Sequence, residues 1–312
     1  MCRRLRLREP SARGIAMARL LQTTSEQRAA PTAGATFLPS DSLRDHVQGY
    51  LYRDLFVAEE IVRPVSADAN PMLVLSLADR HEAFEYSTGT VRQLPEAMLV
   101  GSQSRRPADL RIVGHHQVLI VCFQPAALPL LFSLPGSVLA DTAADAAVCI
   151  GPDVTELVEQ MRRIFAVTGE PRDLVQCVER FLEARLIESG QAEPIHRAAM
   201  ALHRSNGATE LGHLVRESGH SVRHFNRAFL KQFGMTPKRF ARVVRFGYAM
   251  RLKLDRPLLT WAAVSQQAGY YDQNHMAKEF KTLVGEGPSS FLKSISVAPP
   301  PLRAFPYMSN SY

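Results

Sequence analysis

The sequence predicts an α+β chain: a β-rich barrel or sandwich followed by helices, then an all-α domain of two helix-turn-helix units joined by a linker helix. Three observations predict it. Residues 211–291 repeat themselves at an offset of 50, widening to 51 after the turn glycine. Residues 36–124 are a series of short apolar runs punctuated by Gly and Pro. Charge is unevenly divided: residues 195–295 carry 16 Lys/Arg against 6 Asp/Glu, whereas residues 36–194 carry 13 against 22. A basic segment beside an acidic one is the pattern of a nucleic-acid reader joined to something that does not read nucleic acid. At 312 residues the chain exceeds one ordinary module.

Residues 1–35 open Met1-Cys2-Arg3-Arg4-Leu5-Arg6-Leu7-Arg8, with no apolar core long enough for a secretory signal. Three readings stay open: a disordered arm, a translated upstream extension with Met17 as the start, or an arm that touches DNA.

Residues 36–190 are assigned to the first domain. Pro71–Leu77, Phe84–Thr88 before Gly89-Thr90, Met98–Gly101, Leu110–Val113 and Gln117–Phe123 read as strands. Gln117–Phe123 (QVLIVCF) is long and apolar enough to be buried on both faces. After it, Phe123 to Ala127 turns the strand into a helix. His115 and His116 follow Gly114 and are placed in a turn; as neighbours on a strand they would point to opposite faces, so no metal site is assigned. Arg105-Arg106 reads as a polar loop that is solvated or meets an anionic ligand. Cys122 and Cys177 sit in apolar patterns, as buried thiols in a reducing cytoplasm do; no CxxC stands among the four cysteines.

Residues 153–188 carry two amphipathic stripes, Val154-Leu157-Val158-Met161-Ile164-Phe165 and Leu174-Val175-Val178-Phe181-Leu182-Leu186. The stripes suit a dimer contact or packing on the barrel, with the dimer slightly favoured. Ser189–Pro194 reads as a polar linker, and residues 296–312, with Pro299-Pro300-Pro301, as a Pro-rich extended tail.

The second domain, 195–295, is built on the repeat. The first copy carries Leu211, Leu214, Ser218-Gly219, His224-Phe225, Arg227, Phe229, Gly234, Pro237 and Phe240. The second carries Trp261, Val264, Ala268-Gly269, His275-Met276, Lys278, Phe280, Gly285, Pro288 and Phe291. Each reads as a helix, a glycine turn and a second helix, the unit that seats its second helix in a major groove. Phe225, Phe229 and Phe233 form one buried stripe and leave Arg223, Asn226, Arg227 and Lys231 outward. The second copy leaves Gln273, Asn274, Lys278 and Lys281 outward. Arg, Asn and Gln suit bidentate contacts to guanine and adenine edges. Between the copies, Thr236-Pro237 starts a basic helix that reaches Leu254, roughly 27 Å at ~1.5 Å per residue. Such a strut can hold two reading helices about 34 Å apart, one DNA turn.

Ala268-Gly269-Tyr270-Tyr271-Asp272-Gln273-Asn274-His275, Glu279-Phe280-Lys281 and Gly285-x-x-Pro288-Ser289-Ser290-Phe291 resemble the signature of the AraC/XylS family of bacterial transcription regulators. The resemblance spans residues 195–292. The layout of the first domain resembles, more weakly, the cupin-like sensor region that precedes that DNA-binding domain. Met276, Trp261 and Gly287 depart from the family pattern at apolar or backbone positions.

The resemblance implies a cytoplasmic, sequence-specific transcription regulator that binds double-stranded DNA in two successive major grooves. It implies a sensing and dimerising first domain with a small-molecule effector, and RNA polymerase as a partner if the chain activates. Arg223, Asn226, Arg227, Gln273, Asn274 and Lys278 are expected at base edges, and Lys231, Arg242, Arg245 and Lys281 at phosphates. With two arginines against two amides, the first unit is expected to supply more of the affinity. No cofactor is expected, and no run approaches the ~18–20 apolar residues of a membrane span. No nucleophile elbow, Walker loop, GxGxxG or HExxH stands in the chain, so no enzyme is expected. A metal-dependent cupin enzyme with an accessory DNA-binding domain and a regulator that takes no ligand remain as alternatives.

Overall fold

The computed structural model describes residues 33–186 and 193–296. The expectations for the basic segment and its start, for the linker at 189–192 and for the tail from 297 lie outside the described residues.

Eight strands form one antiparallel sheet: β1 (Ala33–Phe37), β2 (Val47–Pro64), β3 (Met72–Ser76), β4 (Glu82–Glu85), β5 (Thr90–Gln93), β6 (Ala97–Val100), β7 (Ala108–Phe123) and β8 (Ala143–Asp145). Their order is β1-β2-β7-β3-β6-β8, with β4 paired to β5 and to the first half of β7. The long β2 and β7 pair from Val47↔Phe123 to Pro64↔Asp109, with register shifts at Val47/Gly49 and Val57/Ile61. Such irregularities bend a strand and raise its twist, which lets the sheet curl.

Alternation along β7 explains why its apolar run is unbroken. Leu119, Val121 and Phe123 face a core with Tyr50, Tyr52 and Leu73. Val118, Ile120 and Cys122 face the opposite side with Leu51, Met72, Met98 and Val100. The stretches 110–113 and 117–123, expected as two strands, are one. His115 and His116, expected in a turn, lie inside it. Gly114 lies there at φ 81°, which glycine tolerates because it has no Cβ; a Cβ would clash with Asp79 Oδ2, which accepts the His115 N–H at 2.8 Å. β2 was not anticipated, since Arg53, Asp54, Glu59 and Glu60 break its apolar pattern; Arg53 and Asp54 are nonetheless buried.

Helices follow: α1 (Ala127–Phe132), a 3-10 turn (Gly136–Leu139), α2 (Ala146–Ile150), α3 (Asp153–Thr168) and α4 (Pro171–Glu183). Val154, Leu157, Val158 and Met161 of α3 join Leu174, Val175, Val178 and Leu182 of α4 in the core under the sheet. These residues of both stripes pack in the chain's own core, while Ile164, Phe165, Phe181 and Leu186 are partly buried at its edge.

The second half is helical: α5 (Pro194–Arg204), α6 (Leu211–Ser218), α7 (Val222–Phe233), α8 (Pro237–Asp255), α9 (Trp261–Gln267), α10 (Gln273–Val284) and α11 (Pro288–Ser296). Aromatic rings hold it together. Phe240 of α8 meets Phe229 and Phe233 of α7 at 5.4 and 5.9 Å between centroids. Phe246, one helical turn and a half on, meets Phe280 of α10 at 4.8 Å. Trp261 packs edge-on against the same Phe280, and Met276 is fully buried, so both departures from the family pattern fill the core.

Candidate nucleic-acid interface

Each reading helix is started by a side-chain cap. Ser221 accepts from His224 N at 3.3 Å to begin α7, and Asp272 accepts from His275 N at 2.7 Å to begin α10. The turn glycines Gly219 and Gly269 lie at φ 68° and 74°, as a tight helix-to-helix turn requires. One residue, His220, separates Gly219 from its cap; two, Tyr270 and Tyr271, separate Gly269 from Asp272. The extra turn residue therefore sits at the mouth of α10. Tyr270 is buried with Arg245 over its ring at 5.7 Å, while Tyr271 stands 92% exposed. Sequence reasoning passed over Tyr271; the widened offset was its signal.

Burying Phe225, Phe229 and Phe233 leaves Arg223, Asn226, Arg227 and Lys231 exposed on α7. Burying Met276, Phe280, Leu283 and Val284 leaves Gln273, Asn274, Lys278 and Lys281 exposed on α10.

Arg242 and Arg245, expected at phosphates, each donate to a protein acceptor. Arg242 Nε donates to Glu279 Oε2 at 2.6 Å, and Arg245 donates to the Gly207 carbonyl at 3.0 Å. Other cations of α8 do the same: Arg251 donates to Asn206 Oδ1, and Lys253 to the carbonyls of Pro257 and Leu259. The basic strut uses its charge largely to cap loop carbonyls and tie the two units together.

The sheet side meets the reading helices directly. A Cβ on Gly136 would come within 2.5 Å of the Gln232 carbonyl at the end of α7, so only glycine lets the 3-10 turn seat there. Ser104 offers its carbonyl to Arg239 Nε at 3.1 Å, and Arg106 N–H donates to the Leu283 carbonyl at 2.8 Å near the end of α10. Arg106 also pairs with Asp109 at 2.6 Å and with Glu286 at 3.6 Å.

The concave face of the sheet encloses a cavity of about 270 Å³. Met72, Val74, Met98, Val100, Val118 and Ile120 form much of its wall. Buried Arg53 and Arg63 stand inside, and Arg92, Arg105 and Arg106 also line it, against Glu85 and Asp141. His116 Nδ1 and His81 Nε2 lie 2.8 Å apart, and burial lowers both pKa values, so the pair is neutral near pH 7.

Residues 214–294 match a family described as a helix-turn-helix domain, and residues 35–145 match a domain of unknown function (DUF6597). No curated protein matches the chain. Among solved structures, ToxT from Vibrio cholerae O395 is similar at 10% identity and a TM-score of 0.45, over 85% of this chain and 98% of that one. ToxT bound to (E)-4-(8-methylnaphthalen-1-yl)but-3-enoic acid is similar at 10% identity and 0.47, over 84% and 99%. The AraC-like transcriptional activator CuxR is similar at 14% identity and 0.25, over 67% and 84%. At such identities and scores these likenesses do not bear on what the chain binds.

Proposed function

We propose that this chain, whose C-terminal part is a helix-turn-helix domain of the AraC/XylS type, is a sequence-specific transcription regulator that reads two successive major grooves. The observation that carries the reading is the pair of capped helices α7 and α10, each presenting amide or guanidinium side chains outward from a buried apolar stripe. Arg223, Asn226 and Arg227 on α7, and Gln273, Asn274 and Lys278 on α10, are assigned to base edges. Lys231, Lys281 and exposed Tyr271 are assigned to phosphates. Arg242 and Arg245 are reassigned from phosphate contacts to positioning residues, because their heads already serve protein acceptors. The chain divides at the linker into a β-rich sensing domain and the reading domain, acts in the cytoplasm, and is not an enzyme. A homodimer and an RNA polymerase contact fit such a regulator.

Selection from a random duplex pool tests the reading. A single motif should be enriched, with binding that weakens steeply as salt rises. Recovery of the unselected pool composition would overturn it.

The metal-dependent enzyme is the weaker reading. Among the described residues no group of three or more His, Cys, Asp or Glu stands together to hold a metal, and His81 and His116 bond each other. Stoichiometric iron, manganese or zinc in purified protein would revive it.

A further inference from the structure

The duplication sets the two reading helices in register. Past the turn glycines the offset is 51, and matched caps fix it at the helix starts: Ser221 takes the His224 N–H as Asp272 takes that of His275. Val222, Arg223, Asn226 and Arg227 of α7 therefore match Gln273, Asn274, Ala277 and Lys278 of α10. Val222 and Ala277 are the apolar members of this set. Each is matched to an amide in the other copy, Val222 to Gln273 and Ala277 to Asn226.

Val222 is 63% exposed and Ala277 half-buried, so the fold leaves their methyl groups within reach of a partner. In a major groove the apolar group on a base edge is the thymine C5-methyl. Covering it removes apolar area of both partners from water. An amide at the same position would pair with adenine instead. Exchanging an apolar residue for an amide between the copies therefore changes the base that each position prefers.

Residues four apart share a helix face, so the set falls into two rows. One row is Val222 and Asn226 in α7, and Gln273 and Ala277 in α10, the same two chemistries in reversed order. The other is Arg223 and Arg227 in α7, against Asn274 and Lys278 in α10. Guanidinium and ammonium groups suit guanine, and amides suit adenine. By this chemistry α7 fits two guanines, one adenine and one thymine. α10 fits one guanine, two adenines and one thymine.

We propose that Val222 and Ala277 are specificity-determining residues, each covering a thymine methyl, and that the operator has two unlike halves. The half under α7 carries two G·C pairs, and the half under α10 carries one and is richer in A·T. A site whose halves repeat or mirror each other satisfies only one helix. This rests on the regulator reading above and deepens it by naming the DNA that the two helices select.

The test starts from the duplex that the full chain enriches from a random pool. Each thymine of that duplex is replaced in turn by deoxyuridine, which lacks only the C5-methyl, and affinity is measured at one salt concentration. Each half should contain one thymine whose replacement weakens binding by about threefold or more, the worth of a buried methyl. This scan uses the wild-type chain and so does not depend on any variant folding. Val222→Ser should no longer distinguish thymine from deoxyuridine in the G·C-richer half, while keeping the distinction in the other. Selection repeated with Val222→Gln should replace that thymine by adenine, and with Ala277→Asn should do the same in the second half. Indifference to deoxyuridine in a half overturns the residue assigned to it, as does a Val222→Ser chain that keeps the distinction, or variants that select the wild-type motif. Halves of equal G·C content overturn the unlike operator, while the regulator reading stands. If no motif is enriched at all, the regulator reading itself falls, and this assignment with it.

Discussion

Arg242 of the strut helix and Glu279 of the second reading helix form a 2.6 Å ion pair, with the Glu279 side chain only 14% exposed. The pair fixes the rotation of α10 on α8, and with it which side chains α10 presents. Removing one partner leaves a partly buried charge without its mate, at a cost of about 1–3 kcal/mol. Arg242→Ala and Glu279→Ala should each destabilise by that order in urea unfolding. The double variant should lose less than the sum of the two. Additive losses would show that the pair is not coupled, and would return Arg242 to the phosphate role.

Gly136 and Gly212 should respond to alanine with opposite signs. At Gly136 the new Cβ meets backbone, the Gln232 carbonyl at 2.5 Å. At Gly212 it meets only the flexible ends of Glu210, 3.1 Å away, and Arg216, 3.5 Å away, on an exposed face of α6. Gly136→Ala should destabilise by about 1–3 kcal/mol through overpacking. Gly212→Ala should stabilise by up to ~1 kcal/mol, the helix-propensity difference. Thermal melts of the two variants read the contrast, and equal shifts would mean that the 3-10 turn does not seat tightly on α7.

Asp68 gives stability a pH dependence. Burial raises its pKa from 3.8 to about 7, and its Oδ2 lacks a hydrogen-bond partner while Oδ1 accepts from Asn70. Between those values the folded acid keeps a proton that the unfolded one has lost. Stability from this group is therefore full below pH 3.8, falls as pH rises toward 7, and is gone above it. The slope is at most about 1.4 kcal/mol per pH unit. Asp68→Asn should flatten this fall, and should exceed the wild type in stability at pH 8 by more than at pH 5. Parallel stability curves for the two proteins would contradict the assignment.

The sequence made the reading domain legible because its evidence is local and doubled. Helical period, cap, glycine turn and outward chemistry each occur within a dozen residues and then recur, so even the extra turn residue showed as an offset. The sheet was harder. β2 carries Arg53 and Asp54 at positions that an apolar pattern would exclude, and only the tertiary structure explains them. Arg53 faces the cavity, and Asp54 joins a buried network with Tyr52 and Gln117. The same holds for α8, where a basic face reads as DNA-contacting until Glu279, Gly207 and Ser104 are brought beside it by the fold. His81 and His116, 35 residues apart in sequence, became a pair only through the pairing of β4 and β7 and the turn before them.

On this reading α7 and α10 each read DNA, with α7 contributing more of the affinity. Its most direct measurement is footprinting on the selected duplex with wild type, Arg223→Ala/Arg227→Ala and Gln273→Ala/Asn274→Ala, all at one salt concentration. Wild type should protect two major-groove segments on one face, about 34 Å apart, one helical turn. The arginine pair should lose one segment and the amide pair the other. Each bidentate contact is worth about 1–3 kcal/mol, and the arginine pair should weaken binding more. A single protected segment, or the same segment lost in both variants, would contradict two-groove reading. Equal or greater loss in the amide pair would contradict the dominance of α7.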